Sequence, residues 1–317
     1  MNNINVNQAA AFLSGCDGAL IYCHASPDGD TIGSATALVL MLRQMNKKAF
    51  AYCIDGIPEK LSFLPTNGIF LENEPEDIEN HTLISVDVAA PNMLGKVKNN
   101  HFLLSIDHHK VNTVECENIL VMSDRIACGE IIFMLLDELG LNLTHDIAVS
   151  LYTAICSDSG GFKYDATKPE TYRMAARCLE LGIDFSEINR RLFESKTKAQ
   201  IELIRIAYQN LELLCDGKFA LVAISPEEFE KCNAVDSDFE CITQIPREIK
   251  GVLASATIRK KGAITKVSLR SNADIDVASI AQQYGGGGHY HAAGLSFEGD
   301  FQDAVEKVRK IFMELSV

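Results

Sequence analysis

The chain has no apolar run approaching the ~18–20 residues of a membrane span, which argues against a membrane-spanning segment. Its start, Met1-Asn2-Asn3-Ile4-Asn5, lacks both the basic stretch and the apolar core of a signal peptide, and a cytoplasmic location is the expectation. Cys-x-x-Cys pairs are also missing. Ten cysteines stand singly between Cys16 and Cys241, which argues against a zinc ribbon and fits reduced, mostly buried thiols. There is no tryptophan, and there is no basic excess: the formal net charge is −14. Such a chain lacks the cationic face needed to grip long duplex nucleic acid, although a short anionic substrate drawn in by metal ions stays compatible. Internal repeats and low-complexity tracts are absent too, apart from the four glycines Gly285–Gly288.

What is present is ordinary globular composition: 317 residues, 47% apolar and 23% charged, a length suited to about two domains. The first half alternates strand-like and helix-like segments, the pattern of βαβ units with a mainly parallel sheet. Thr31–Met45, Ile126–Leu139, Asp146–Cys156 and Thr167–Leu181 carry helical periodicity, and Lys48–Cys53 reads as a strand. The spacing predicts a long helix over Thr197–Leu214 as the link to a smaller α+β tail. That tail has strands Phe219–Ile224, Gly251–Ile258 and Ala263–Leu269, a helix Val277–Tyr284 with Asp276 as N-cap, and a terminal helix Phe301–Leu315. The expected layout is a first domain over 1–192, a helical linker over 193–214 and a second domain over 215–317.

Residues 102–109 read Phe-Leu-Leu-Ser-Ile-Asp-His-His, an apolar run that stops at an acid and two histidines. Ala19–Cys23 ends likewise at His24, followed by Asp28 and Asp30, and Leu83–Val86 ends at Asp87. Asp158 follows the apolar run Leu151–Cys156. Open α/β sheets bind ligands beyond the carboxyl ends of their strands. Taken singly, each of these residues could be a loop or capping residue. Together, acids and histidines at one sheet edge would repel or titrate unless something positive sat between them. Four carboxylates and two histidines suit a pair of octahedral Mn²⁺ or similar ions better than a structural zinc. Two such ions clamp the attacking and leaving oxygens of a phosphoryl displacement, with Asp87 able to bridge both and Asp28 and Asp30 pointing at different ions.

A second constellation is Gly285-Gly286-Gly287-Gly288-His289-Tyr290-His291-Ala292-Ala293-Gly294. No Gly-Lys-Ser/Thr follows, so it is not a P-loop. Glycine amides can approach an anion closely, as in a nest, with His289 placed to contact a phosphate. Upstream, Arg270-Ser271 ends a strand with a bidentate phosphate donor. Between Ile245 and Arg270, seven basic residues face one acid, Glu248, and read either as a solvated strand face or as a phosphate-facing patch.

His24-x-x-x-Asp28-x-Asp30, Asp87, Asp107-His108-His109 and Asp158 resemble the four motifs of the DHH phosphoesterase superfamily. The Gly-Gly-Gly-His…Ala-Ala-Gly segment with Arg270-Ser271 resembles its DHHA1 substrate-binding domain. The resemblance covers nearly the whole chain and implies two divalent metal ions, with Mn²⁺ the expected metal. His24, Asp28 and Asp87 would hold one, and Asp30, Asp87, His108 and Asp158 the other. It further implies that Asp107 orients, that His109 contacts the scissile phosphate or protonates the leaving oxygen, and that Arg270, Ser271, Gly286, Gly287, Gly288 and His289 bind substrate. Among the branches, the likeness is greatest to the stand-alone type that degrades short single-stranded RNA and removes the 3′-phosphate of pAp. Cyclic di-AMP or linear pApA stays open as a substrate, as does a homodimer. Where relatives often carry Ser-Thr/Ala-x-Glu, this chain has Ala127-Cys128-Gly129-Glu130.

Overall fold

The structure is a computed structural model that describes residues 1–76, 81–98, 101–272 and 274–315, and of His289 the backbone alone. The described chain forms two compact units, Met1–Ser195 and Lys196–Val317.

In the first unit the order is β1 (Asn2–Asn3), α1 (Val6–Gly15), β2 (Gly18–Tyr22), α2 (Gly29–Gln44), β3 (Lys48–Tyr52), β4 (Thr82–Val86), β5 (His101–Asp107), β6 (Glu115–Val121), α3 (Cys128–Glu138), α4 (His145–Asp158), α5 (Pro169–Leu179) and α6 (Phe185–Asn189). Its six strands pair in the order β1-β6-β5-β4-β2-β3, all parallel. Such a sheet is buried on both faces, which is why its strands read as apolar runs. Ala19 and Ile21 face a core that includes residues of α1 to α5, while Leu20 and Tyr22 face the opposite core with Leu83 and Phe102. Because β3 and β4 lie on opposite sides of β2, the strand order reverses between β2 and β4, and a crevice opens there beyond the strand ends.

The helices are set by caps and by glycine. Asp28 accepts from Thr31 N at 3.0 Å and opens α2, and Thr144 caps α4 in the same way. The two helices run antiparallel in close contact. A Cβ at Gly33 would lie 2.4 Å from the Ser150 carbonyl oxygen, and one at Gly29 would lie 2.7 Å from Ser157. Only glycine permits that approach, and the approach sets the end of α4 against the start of α2.

The second unit holds α7 (Lys198–Gln209), β7 (Leu211–Leu214), β8 (Phe219–Ile224), α8 (Pro226–Lys231), β9 (Ala254–Lys261), β10 (Ile264–Ser271), α9 (Val277–Gln283), β11 (Gly287–His289), β12 (Ala292–Glu298) and α10 (Phe301–Glu314). Its mixed sheet runs β11-β12-β10-β9-β8-β7, with β8 and β9 the parallel pair. One face packs on α9 and α10 through Val277, Ala281, Val305 and Phe312, and α7 covers another cluster with Val222 and Ile224.

The long helix expected over 197–214 is shorter than its periodicity suggested. It stops at Asn210, whose Nδ2 donates to Ala223 O at 2.9 Å, and Leu211–Leu214 form a strand paired with Phe219–Val222. The turn between them places Cys215, Asp216 and Gly217 at positive φ (52°, 55° and 80°). An Asp-Gly turn signal thus outweighs a leucine spacing that fits both helix and strand. Asp276 caps α9 as expected, accepting from Ala278 N and Ser279 N at 3.0 Å. No helix among the described residues is long and apolar enough to cross a membrane, and all ten cysteines are free, seven of them buried.

Replacing Gly33 with alanine raises helix propensity by about 1 kcal/mol, yet it drives a methyl group into a backbone carbonyl. We expect Gly33→Ala to destabilise the protein by about 1–3 kcal/mol, read as a lowered thermal midpoint. A raised midpoint would show that α2 and α4 can part at little cost.

Candidate metal centre

The crevice gathers the residues singled out at the strand ends. His24 follows β2, Asp87 follows β4, and Asp107 is the last residue of β5, with His108 and His109 just beyond. Asp28 and Asp30 begin α2, and Asp158 ends α4. His24 Nε2 lies 4.0 Å from Asp28 Oδ1 and 3.6 Å from Asp87 Oδ2. His108 Nε2 lies 3.5 Å from Asp87 Oδ1, 3.8 Å from Asp30 Oδ2 and 3.4 Å from Asp158 Oδ2. Two donor sets result, His24–Asp28–Asp87 and Asp30–His108–Asp158, with a third group, Asp87–His108–His109, between them.

Four of these groups, His24, His108, Asp30 and Asp87, are oriented from behind. The Nδ1 of His24 meets the Ala25 carbonyl oxygen at 2.8 Å, so Nδ1 carries the proton and Nε2 offers its lone pair to the crevice. Nδ1 of His108 lies 3.4 Å from the Arg125 carbonyl oxygen in the same arrangement. Asp30 is fully buried. It accepts from Cys128 N at 2.6 Å, Gly129 N at 2.9 Å and Ser34 Oγ at 2.9 Å, so the start of α3 donates to a carboxylate on α2. Here the Ala-Cys-Gly-Glu departure is accommodated. Cys128 and Gly129 act through backbone amides, and Glu130 accepts from Ile126 N and from Thr171 Oγ1. A Cβ at Gly129 would lie 2.6 Å from the Ala154 side chain, so glycine is needed where α3 meets α4.

Asp87 is the centre of the arrangement. Its backbone sits at φ 60°, the left-handed region that non-glycine residues rarely occupy. Thr31 Oγ1 donates to Oδ2 at 2.5 Å, whereas Oδ1 is buried with no hydrogen-bond partner among the described residues. An orphaned carboxylate oxygen facing two imidazole nitrogens suits a divalent cation.

The electrostatics agree with that fit. Burial, with Asp87 as the next cause, pushes the Asp30 carboxyl up to about 8. Burial, with Asp30 as the next cause, raises Asp158 well above the carboxylate range. Against the burial that disfavours its charge, Asp87 is held below the usual range by His108 and His24. Burial opposes charge on the histidines as well, but the acids outweigh it: Asp87, Asp30 and Asp158 raise His108 to about 11, and Asp87 and Asp28 raise His24 to about 9. Without a cation this cluster stays together only by sharing protons among its acids and imidazoles.

Asp107 is buried beneath the cluster. Its Oδ1 accepts from His108 N at 2.8 Å and from His109 Nδ1 at 2.7 Å, which fixes the proton on Nδ1. Asn112 and Thr31, which hold Asp107 and Asp87, escaped the sequence reading. Thr31 is an ordinary helix-start residue and Asn112 an ordinary loop residue by local pattern.

The second unit answers the glycine motif differently. Gly285 N and Gly286 N donate to Gln282 O and Ala281 O at the end of α9, and Gly287 and Gly288 enter the edge strand β11, so the run is not an open nest. Two of its glycines are needed for packing. A Cβ at Gly286 would lie 2.2 Å from Gly294 O, and one at Gly288 (φ 147°) would lie 2.5 Å from Ala292 O. Ser271 is buried, and its Oγ lies 2.8 Å from His291 Nδ1, which makes it a brace for His291, a residue not singled out from sequence. Arg270 is half-buried, with Nη1 donating to Leu269 O. The side chain of His289 lies outside the described residues. In the basic stretch, Arg259 and Lys261 pair with Asp236.

Residues 19–155 match the model of the DHH family N-terminal domain, and residues 239–314 match the DHHA1 domain. The bifunctional oligoribonuclease and PAP phosphatase NrnA of Thermus thermophilus is 30% identical over 96% of this chain and 92% of its own length. This chain belongs to the DHH family. The protein of the same name from Bacillus subtilis is 26% identical over 88% of this chain and 89% of its own length. Among solved structures, an exopolyphosphatase-related protein from Bacteroides fragilis superposes with a TM-score of 0.89 at 24% identity, covering 98% of this chain and 95% of that one, which shows a shared fold. The DHH-family residues named above lie within or just beyond the first matched segment, and Arg270, Ser271 and the glycines lie within the second.

Since Thr31 is the hydroxyl donor to Asp87, Thr31→Val keeps its shape and removes one hydrogen bond. Mn²⁺ affinity measured by calorimetric titration is expected to fall about 10–100-fold. Unchanged affinity would mean that the hydroxyl does not orient the carboxylate.

Proposed function

We propose that this protein is a divalent-cation-dependent phosphoesterase that hydrolyses short single-stranded oligoribonucleotides to mononucleotides and removes the 3′-phosphate of pAp. The observation that carries the reading is the buried Asp87, with one oxygen unsatisfied, standing between two oriented donor sets at the sheet's crevice. His24, Asp28 and Asp87 would hold one cation, and Asp30, Asp87, His108 and Asp158 the other, with Mn²⁺ the metal we assign. When bound, two such ions supply Lewis acidity at the phosphate and lower the pKa of water.

The chain's own residues do the rest. Hydrogen bonds to Ala25 and Arg125 carbonyl oxygens keep the His24 and His108 tautomers that face the crevice. Asp107 holds Nδ1 of His109, so Nε2 is the atom that meets a phosphate oxygen or gives a proton to the leaving oxygen. In the second unit we assign Arg270 and the backbone of Gly287 and Gly288 in the edge strand to substrate phosphates, with Gly286 in its packing role, Ser271 bracing His291 and His289 as a phosphate contact. The substrate class is supported by the names of relatives that align over nearly the whole chain. The acidic chain, formal charge −14, fits short substrates better than long duplexes.

Three measurements test this. With Mn²⁺, a labelled dinucleotide, a 5-mer and pAp should be hydrolysed faster than cyclic di-AMP or pyrophosphate, and intact dinucleotide and pAp would refute the reading. Chelation should abolish turnover and Mn²⁺ restore it. Asp87→Asn and His108→Ala should each lower kcat by more than about 100-fold with the circular dichroism of the wild type.

A further inference from the structure

We infer that Asn112 is a positioning residue for this hydrolysis, acting through Asp107 on His109, an inference that rests on the function proposed above. Asn112 lies between β5 and β6, three residues past His109. Its Nδ2 donates to Asp107 Oδ2 at 2.7 Å and to Val88 O at 2.8 Å, while its Oδ1 accepts from Val114 N at 2.9 Å. A backbone N–H can only donate, so Val114 fixes which end of the amide is oxygen, and both amide protons are then committed.

Asp107 has no exposed surface. With Oδ2 held by Asn112, Oδ1 alone serves His108 N and His109 Nδ1. Removing the amide leaves Oδ2 buried without that donor, and a carboxylate in that state turns toward whichever donors remain. The bond that keeps the proton on His109 Nδ1 would then be shared or lost, and with it the placement of Nε2. Val88 O and Val114 N anchor the amide from either side, so Asn112 ties the end of β5 to the backbone just after Asp87. Among the described residues the hydrogen bonds of Asn112 go to Val88, Asp107 and Val114 rather than to a proposed metal ligand, so its loss acts on the phosphate-facing imidazole ahead of the donor sets.

The test is Asn112→Ala in wild-type and His109→Ala backgrounds. In the wild type, kcat is expected to fall about 10–100-fold with KM and Mn²⁺ affinity within about threefold. In the His109→Ala background the further loss should be under about twofold, because the route is already gone. Equal losses in both backgrounds would overturn the proposal. A readout free of turnover is the downfield proton resonance of His109 Nδ1–H, assigned by its disappearance in His109→Ala. It should shift or broaden in Asn112→Ala, and an unchanged resonance also overturns the proposal. Should the wild type hydrolyse no substrate while the resonance still responds to Asn112, the proposed function fails and the positioning role stands. If Asn112→Ala does not fold, Asn112→Ser answers the same two readouts.

Discussion

Like charge at close range is the constraint on which the rest of this structure depends. Asp28, Asp30, Asp87 and Asp158 converge on two imidazoles at one end of a parallel sheet, and two of the four acids lie almost wholly out of water. Bringing carboxylates into such a place costs far more than any single packing contact returns unless the charge is met. The fold meets part of it with fixed donors: two α3 amides and Ser34 on Asp30, Thr31 on Asp87, and Asn112 and two groups of the His-His segment on Asp107. What remains unmet, above all Oδ1 of Asp87, is a standing preference for cations.

The scaffold follows from that requirement. Parallel strands set side by side bring His24, Asp87 and Asp107 to one edge. Asp158 arrives by another route, at the end of a helix, and reaches the cluster because Gly29 and Gly33 let α4 approach α2 closely. Gly129 does the same for α3 against α4, which points the α3 amides at Asp30. Core packing and the geometry of the acid–histidine cluster are therefore coupled here, since a methyl group added between helices displaces a carboxylate as well as a hydrophobic neighbour.

Much of the fold was legible because parallel strands buried on both faces leave continuous apolar runs, and three of them, β2, β4 and β5, lead into an acid or histidine of the cluster. That His24, Asp28, Asp30, Asp87, His108 and Asp158 gather at one site could be read from residue type and position alone. The leucines of Leu211–Leu214 could not be assigned by spacing, since four residues fit either period, and the Asp-Gly turn with the partner strand β8 settled it. The local geometry of the glycine run was hidden for a related reason. Its freedom of φ serves close packing of β11 on β12 at Gly286 and Gly288, a need visible only once the strands are paired.

By itself the sequence determined the chemistry on offer: which strand ends carry acids and histidines, and how many. Tertiary structure decided what those groups are to one another. Which oxygen of Asp87 stays unsatisfied, which nitrogen of each histidine faces the crevice, and that Thr31 and Asn112 stand behind the site all depend on contacts between residues far apart in the chain, 56 positions in the case of Thr31 and Asp87. Local residue patterns register only short-range periodicity, whereas a hydrogen bond across strand ends exists only after the sheet has formed.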